Sequence, residues 1–137
     1  MKALGFNMIR KHIKIEPARW YMHCDREGIL VWQDLPSPNL PSGYEDYAKK
    51  NFEDESKRII TAFRNHPSII QWVVFNEGWG QFDTERMTQI VIGEVGQSLV
   101  CCASGWVDAP IGDIKDSHSY PNPSCPLDEP RAGVCGE

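Results

Sequence analysis

The sequence predicts an α/β fold in which parallel strands alternate with outer helices and curl into part of a TIM (β/α)8 barrel. Three observations carry this. Apolar runs of strand length alternate with stretches of helical periodicity along the chain. No two-residue hairpin signal joins any pair of runs, so consecutive strands need crossover connections and lie parallel. The runs also end on polar residues at the same, C-terminal end: Arg10 and His12, Gln33 and Asp34, Asn76 and Glu77, Ser104 and Trp106, His118 and Tyr120, and Glu137. A barrel gathers those ends into one pocket, at the face where catalytic groups of such barrels collect. An open doubly wound sheet is the main alternative, but nucleotide-binding sheets carry a glycine-rich phosphate turn after the first strand. Here that place holds Arg10-Lys-His-Ile-Lys14.

The first strand is expected over residues 6–10, where Gly5-Phe-Asn-Met-Ile-Arg10 is apolar and ends in charge. Pro17 to Glu27 reads as a helix, with proline in its first turn, Trp20, Tyr21 and Cys24 at helical spacing, and Gly28 as its stop. A second strand over 29–33 runs into Gln33 and Asp34. Pro36 to Gly43 is a turn-rich loop, and Tyr44 to Asn65 a long amphipathic helix carrying Tyr47, Ala48, Ile59, Ile60 and Phe63. The third strand, over 69–75, is apolar at every position but Gln71, a run of the kind buried on both faces. Asp83 or Thr84 can cap a helix whose Met87, Ile90, Val91 and Val95 recur at three and four residues. Strands over 99–103, 115–119 and 133–136 follow, and the prolines at 121, 123, 126 and 130 leave little room for a helix between the last two.

Length bounds this arrangement. A complete barrel of this type needs about 250 residues, and the chain has 137. Residues 1–137 are therefore expected to form a single incomplete barrel domain. The net charge of -5 and the absence of a basic run argue against a nucleic-acid surface. The longest apolar stretch, Ile69 to Phe75, is far too short to span a bilayer, and the N-terminus lacks the apolar core of a signal peptide, so no membrane partner is expected.

The segment His66-Pro-Ser-Ile-Ile-Gln-Trp-Val-Val-Phe-Asn-Glu-Gly-Trp-Gly80 is the most informative of the chain. Its apolar run breaks off at Asn76-Glu77, which places a carboxylate where a buried strand meets solvent. An ordinary loop glutamate is the plain alternative. Cleaving a glycosidic bond needs a proton donor for the leaving oxygen and a second carboxylate for the anomeric carbon. Glu77 and Glu137 are candidates for the two roles, but only the fold can bring them together. Asn76 suits a sugar 2-hydroxyl, and Trp32, Trp79 and Trp106 offer flat faces for a pyranose or for core packing.

Five cysteines show no C-x-x-C spacing, and adjacent Cys101 and Cys102 point to opposite faces of a strand, so they are read as buried or incidental thiols. His12 and His118 lack a His-x-His or His-Glu-x-x-His context. They are read as contacts to sugar hydroxyls, and neither a metal nor a cofactor is expected. His66 is read as structural, and His23 as a surface residue.

Asn7-Met-Ile-Arg-Lys-His12, Trp20-Tyr21, Cys24-Asp25 leading into Gly28-Ile-Leu-Val-Trp-Gln-Asp34, His66-Pro-Ser-Ile-Ile-Gln-Trp and Asn76-Glu77 together resemble the catalytic barrel of glycoside hydrolase family 2, the β-galactosidase and β-glucuronidase group. The resemblance covers nearly the whole chain. It implies a retaining β-glycosidase with Glu77 as acid/base and Glu137, after Gly136, as nucleophile. It also implies sugar contacts from Arg10 and His12, and a tyrosine beside the nucleophile at Tyr120. Asp34, Asn76, Trp79, Trp106 and His118 complete the expected substrate-binding set. Family members carry β-sandwich domains and a first strand ahead of this region and an eighth strand after it, so the chain resembles strands two to seven of a larger protein. Two other functions stay open: a carbohydrate-binding remnant without turnover, and a metal-dependent hydrolase on a similar barrel.

Overall fold

The computed structural model describes residues 1–37, 46–127 and 130–137. After a single 3-10 turn at Lys2–Leu4, the elements are β1 (Met8–Lys11), α1 (Ala18–Glu27), β2 (Leu30–Asp34), α2 (Asp46–Phe63), β3 (Ile69–Asn76), α3 (Thr84–Val95), β4 (Leu99–Ser104), β5 (Ile114–Ser117) and β6 (Ala132–Cys135). The strands form one sheet in chain order, and every neighbouring pair is parallel. This is the strand succession of a barrel, with helices on the outside. The expected start of the second helix at Tyr44 and the loop from residue 38 to 43 lie outside the described residues.

Local chemistry explains the element boundaries. Gly28 ends α1 in the left-handed region (φ 64°), and its N–H reaches the carbonyls of Asp25 and Cys24. On α2 the buried residues Phe52, Ser56 and Ile60 recur every four positions, and on α3 Met87, Val91 and Val95 do the same. Each helix thus presents one stripe to the sheet. Asp83 stands at the start of α3 as expected, but its side chain makes no capping hydrogen bond. Gln81 instead donates to Thr84 Oγ1 at 2.8 Å.

Two apolar layers flank the sheet. The outer one joins Tyr21, Phe52, Ile60, Trp72, Val74, Phe75, Met87 and Val91 between strands and helices. The inner one is small: Trp32, Val73, Cys101 and Ile114, with Val134 packed against it. Side chains of a strand alternate between faces, yet the consecutive residues Val74 and Phe75 both pack in the outer layer. The alternation breaks there, and that break turns Asn76 inward, where its Oδ1 accepts from Arg10 Nη2 at 2.8 Å.

The two halves of the sheet are supported differently. Around β1 to β4 the helices do the covering, and Asp25 at the end of α1 ties helix to sheet. It accepts from the Ser68 N–H at 2.9 Å and pairs with His66 Nδ1 at 2.6 Å. His66 is therefore structural, as expected. Around β5 and β6 the described residues contain no helix, and an ion cluster stands in. Asp108 binds Arg131 at 2.8 and 3.1 Å and Lys115 at 2.7 Å. Cys102, on the face opposite Cys101, donates to Asp108 at 3.4 Å. No helix among the described residues is long and apolar enough to cross a membrane.

Candidate active site

The cleft is built on the C-terminal ends of the strands. Arg10 leaves β1 and fans its guanidinium across three partners: Asp34 at the end of β2 (2.9 and 3.3 Å), Asn76 at the end of β3, and Glu137 after β6 (3.0 Å). The guanidinium itself lies over the Trp32 ring, its carbon 5.3 Å from the ring centre. Burial alone would weaken the Arg10 charge, but the Asp34 and Glu137 carboxylates raise its pKa above the ordinary arginine value. A contact from the first strand to the residue beyond the last shows how far the sheet curls. Asp34, with a side chain 1% exposed, is committed to Arg10 and to His12 Nδ1 at 3.1 Å.

Glu77 follows β3 directly. Its N–H donates to the Ser104 carbonyl at 2.8 Å, and its backbone is held at φ 50°, a region that costs a non-glycine residue on the order of 1–3 kcal/mol. The side chain meets His118, whose Nδ1 lies 2.8 Å from Glu77 Oε1. Gly105 (φ 87°) leaves room for that histidine, since a Cβ there would stand 2.7 Å from His118 Nδ1.

Glu137 is clamped from two sides, by Arg10 on Oε1 and by the Tyr120 hydroxyl on Oε2 at 2.6 Å. Burial would raise its pKa, but the Tyr120 hydrogen bond and the neighbouring Arg10 charge outweigh it and hold the carboxyl below its ordinary value. The same contact pushes the Tyr120 hydroxyl up to about 12. An oxygen of Glu77, an oxygen of Glu137 and a nitrogen of His118 lie within 4.8 Å of one another.

The structure thus gathers the sequence-selected residues on one rim, with different roles. Arg10, Asp34, Asn76, Glu77, His118, Tyr120 and Glu137 form one connected network. His12 touches it through Asp34 and packs edge-on to Trp79, with ring centres 6.2 Å apart. Trp106, 46% exposed, flanks His118 at 5.5 Å. His118 differs from the expectation of a sugar contact. Its side chain has no exposed surface, and both ring nitrogens meet protein groups, Glu77 on one side and Ser104 Oγ (2.8 Å) on the other. Trp32 lies buried beneath Arg10 and offers no open face. Gln33 supports the first loop, accepting from the Tyr21 hydroxyl at 2.6 Å and donating to the Lys14 carbonyl at 3.0 Å.

Two residues beneath the rim have roles that sequence reasoning did not give them: Ser104, read only as a polar strand end, and Asp116, not selected at all. Ser104 Oγ bridges His118 and the Asp116 carboxylate, and Asp116 is fully buried on the inner face of β5. One local signal was present: Asp116 lies in β5 and His118 directly follows its end, two residues on in the chain. Glu77, His118 and Glu137 have the donor types of a metal site. Their atoms are nonetheless held by Arg10, Tyr120 and each other, and the guanidinium 3.0 Å from Glu137 opposes a second cation. The mixed donors and acceptors suit the hydroxyls of a polyol better. Asn76 adds a buried Nδ2 with no partner among the described residues.

A segment of parallel strands and outer helices with paired carboxylates at the strand ends defines the class, a (β/α) barrel with its site on the C-terminal rim. The family model for the TIM barrel domain of family 2 glycosyl hydrolases matches residues 1–118, and the chain belongs to that family. Tyr120 and Glu137 lie beyond the matched residues. Over 81 residues the chain is 36% identical to a putative β-glucuronidase of Formosa agariphila, covering 56% of this chain and 8% of that protein. Over 75 residues it is 32% identical to β-mannosidase B of Emericella nidulans, covering 53% of the chain and 9% of that protein. The crystal structure of a family 2 β-galacturonidase from Eisenbergiella tayi, bound to galacturonate, superposes with a TM-score of 0.75 at 23% identity, over 88% of this chain and 24% of that one. The chain thus spans less than a tenth of the length of these two curated relatives.

Proposed function

We propose that the protein carrying this segment hydrolyses β-linked glycosides with retention, with Glu77 as the proton donor and Glu137 as the nucleophile. The observation that supports this reading best is the approach of the two carboxylates to within 4.8 Å, from the ends of different strands. Inverting enzymes need about 6.5–9.5 Å to fit a water between sugar and base, whereas a direct nucleophile works at about 5–5.5 Å. The environments of the two residues divide the labour. Arg10 and Tyr120 keep Glu137 ionised, as attack on the anomeric carbon requires. Glu77, next to the His118 imidazole, sits where a proton can be exchanged with the leaving oxygen and then with the incoming water.

Arg10, His12, Asp34 and Asn76 would orient the ring hydroxyls, the unpartnered Asn76 Nδ2 serving the 2-hydroxyl, and Trp79 and Trp106 would border the sugar. Glucuronides, galactosides and mannosides are the candidate substrates, since the relatives are named for the first and third and another, from Oenococcus oeni, for the second. Carrying out both steps on one sugar implies a covalent glycosyl-enzyme on Glu137. The test is Glu77→Gln in the purified protein. Hydrolysis of alkyl glycosides, which need protonation to depart, should fall by about 10²–10⁴. Activated aryl glycosides should lose far less. Equal losses on the two substrate types remove Glu77 as the donor.

A further inference from the structure

Beneath the rim, four side chains form an unbroken polar line from the inside of the sheet to the cleft: Asp116, Ser104, His118 and Glu77. We propose that this line is a proton relay, with Asp116 as a buried proton store that loads Glu77 before the first displacement, when a bound sugar shields it from water. The inference rests on the assignment of Glu77 as acid/base.

The line admits two arrangements. In one, Ser104 donates to the Asp116 carboxylate, His118 Nε2–H donates to the serine oxygen, and Nδ1 accepts from a protonated Glu77. In the other every direction is reversed: Asp116 donates to Ser104, Ser104 to Nε2, and Nδ1–H to the Glu77 carboxylate. The two differ by the place of one proton, on Glu77 in the first and on Asp116 in the second, and the Arg10 guanidinium, which carries only donors and lies 3.4 Å from Nε2, favours the second. The surroundings of Asp116 agree. Asp116 is 1% exposed, its Oδ1 has no hydrogen-bond partner among the described residues, and a Cβ on Gly136 would collide with its carboxylate, so chain packs directly over it. Burial raises its pKa, against the opposing effect of Ser104 donating to its carboxylate and of the Arg10 charge.

The step balances with one proton. Asp116 gives its proton to Ser104 Oγ, Ser104 gives its own to His118 Nε2, and Nδ1 releases its proton to Glu77 Oε1. Asp116 ends as the carboxylate, Glu77 as the acid, and Ser104 and His118 are neutral before and after. Nothing is oxidised or reduced. The charged and titratable groups around the line are Arg10 from β1, Asp34 from β2, Cys101 from β4, and Glu137 after β6. Arg10 and Asp34 neutralise each other, and Cys101 stays a thiol because burial raises its pKa well above the ordinary value. The Glu137 carboxylate, with an oxygen within 4.8 Å of one on Glu77, and the negative charge of Asp116 both favour a proton on Glu77, and of the two it is Asp116 that gains its charge in the relay step.

The experiment is Asp116→Asn, nearly isosteric and unable to store the proton, assayed as kcat/KM against pH on alkyl and activated aryl glycosides. The expected result is an alkaline limb moved to lower pH, with about tenfold loss on the alkyl substrate and little on the aryl one. The infrared carbonyl band of a buried carboxylic acid should disappear in the same variant. Ser104→Ala, which cuts the line but keeps Asp116, should repeat the selective loss, and Ser104→Thr should restore it. A pH profile that superposes on the parent's, or equal losses on both substrates, overturns the relay. If Glu77→Gln is selective for alkyl substrates while neither Asp116→Asn nor Ser104→Ala is, the acid/base assignment stands and the relay alone fails.

Discussion

The two faces of the same sheet are put to opposite uses. Outward, β2, β3 and β4 pack Val31, Trp72, Val74, Phe75 and Val100 against three helices in a continuous apolar layer. Inward, the apolar layer is thin, and above it Asp34, Asn76, Ser104 and Asp116 are buried as polar groups. Apolar burial stabilises by about 25 cal/mol per Å², whereas a buried carboxylate costs stability unless it is paired. The outer face therefore supplies the stability that lets the inner face hold costly groups, and the parity break at Val74 and Phe75 is where one use changes into the other. The two faces should separate under mutation.

The largest separation is expected from Glu137→Gln. If Glu137 is the nucleophile, the amide cannot attack, and turnover should drop by more than about 10³ while thermal stability hardly changes, because the side chain is one-third exposed. Rates and melting temperature measured on one preparation check this; a large loss of stability would make Glu137 part of the frame. Trp72→Ala is the mirror case. Trp72 is fully buried in the outer layer, and its truncation should cost about 3–5 kcal/mol in denaturant unfolding. The protein that remains folded should keep its turnover.

A smaller effect of the same kind belongs to Asp25. It joins α1 to the start of β3 through His66 and Ser68, far from the rim. Burial would raise its pKa, but the hydrogen bonds from Ser68 and His66 lower it below the ordinary aspartate value. A carboxyl with a depressed folded pKa stabilises above its unfolded pKa, and that contribution fades as pH falls through the folded value. Asp25→Ala should cost about 1–3 kcal/mol at neutral pH, less in acid, with kcat unchanged. A cost that does not shrink in acid would mean that the carboxylate charge contributes nothing.

Most of the outer face was legible in the sequence, because periodicity records burial directly. Met87, Val91 and Val95 mark α3, and the run from Ile69 to Phe75 marks β3, each within a residue or two of the observed bounds. The rim was legible as strand ends, which is why Arg10, Asp34, Asn76, Glu77 and Glu137 could be named before any coordinates. The layer beneath the rim was not. Ser104 was readable as a strand end, but its role and that of Asp116 rest on a contact between adjacent strands whose register, Asn76 opposite Ser104 and Cys101 opposite Ile114, no local pattern encodes. His118 looked like a sugar contact for the same reason: its burial comes from Trp106, Ser104 and Gly105, brought to it by the fold.

The smallest expected effect tests whether the inner face carries a stability cost at all. Asp116 is raised above the ordinary aspartate pKa, chiefly by burial, so folding favours its protonated form. Such a group gives its full contribution below the unfolded pKa, and that contribution is lost as pH rises through the folded value. At neutral pH the parent thus bears a penalty that an uncharged side chain of the same shape avoids. Asp116→Asn should therefore melt higher than the parent at neutral pH, by a few degrees, and the difference should close as the pH approaches the ordinary aspartate range, where both side chains are neutral. Melting temperatures across that pH range decide the matter. A variant that melts lower than the parent at neutral pH would mean that Asp116 belongs, with Trp72 and Asp25, to the stabilising frame.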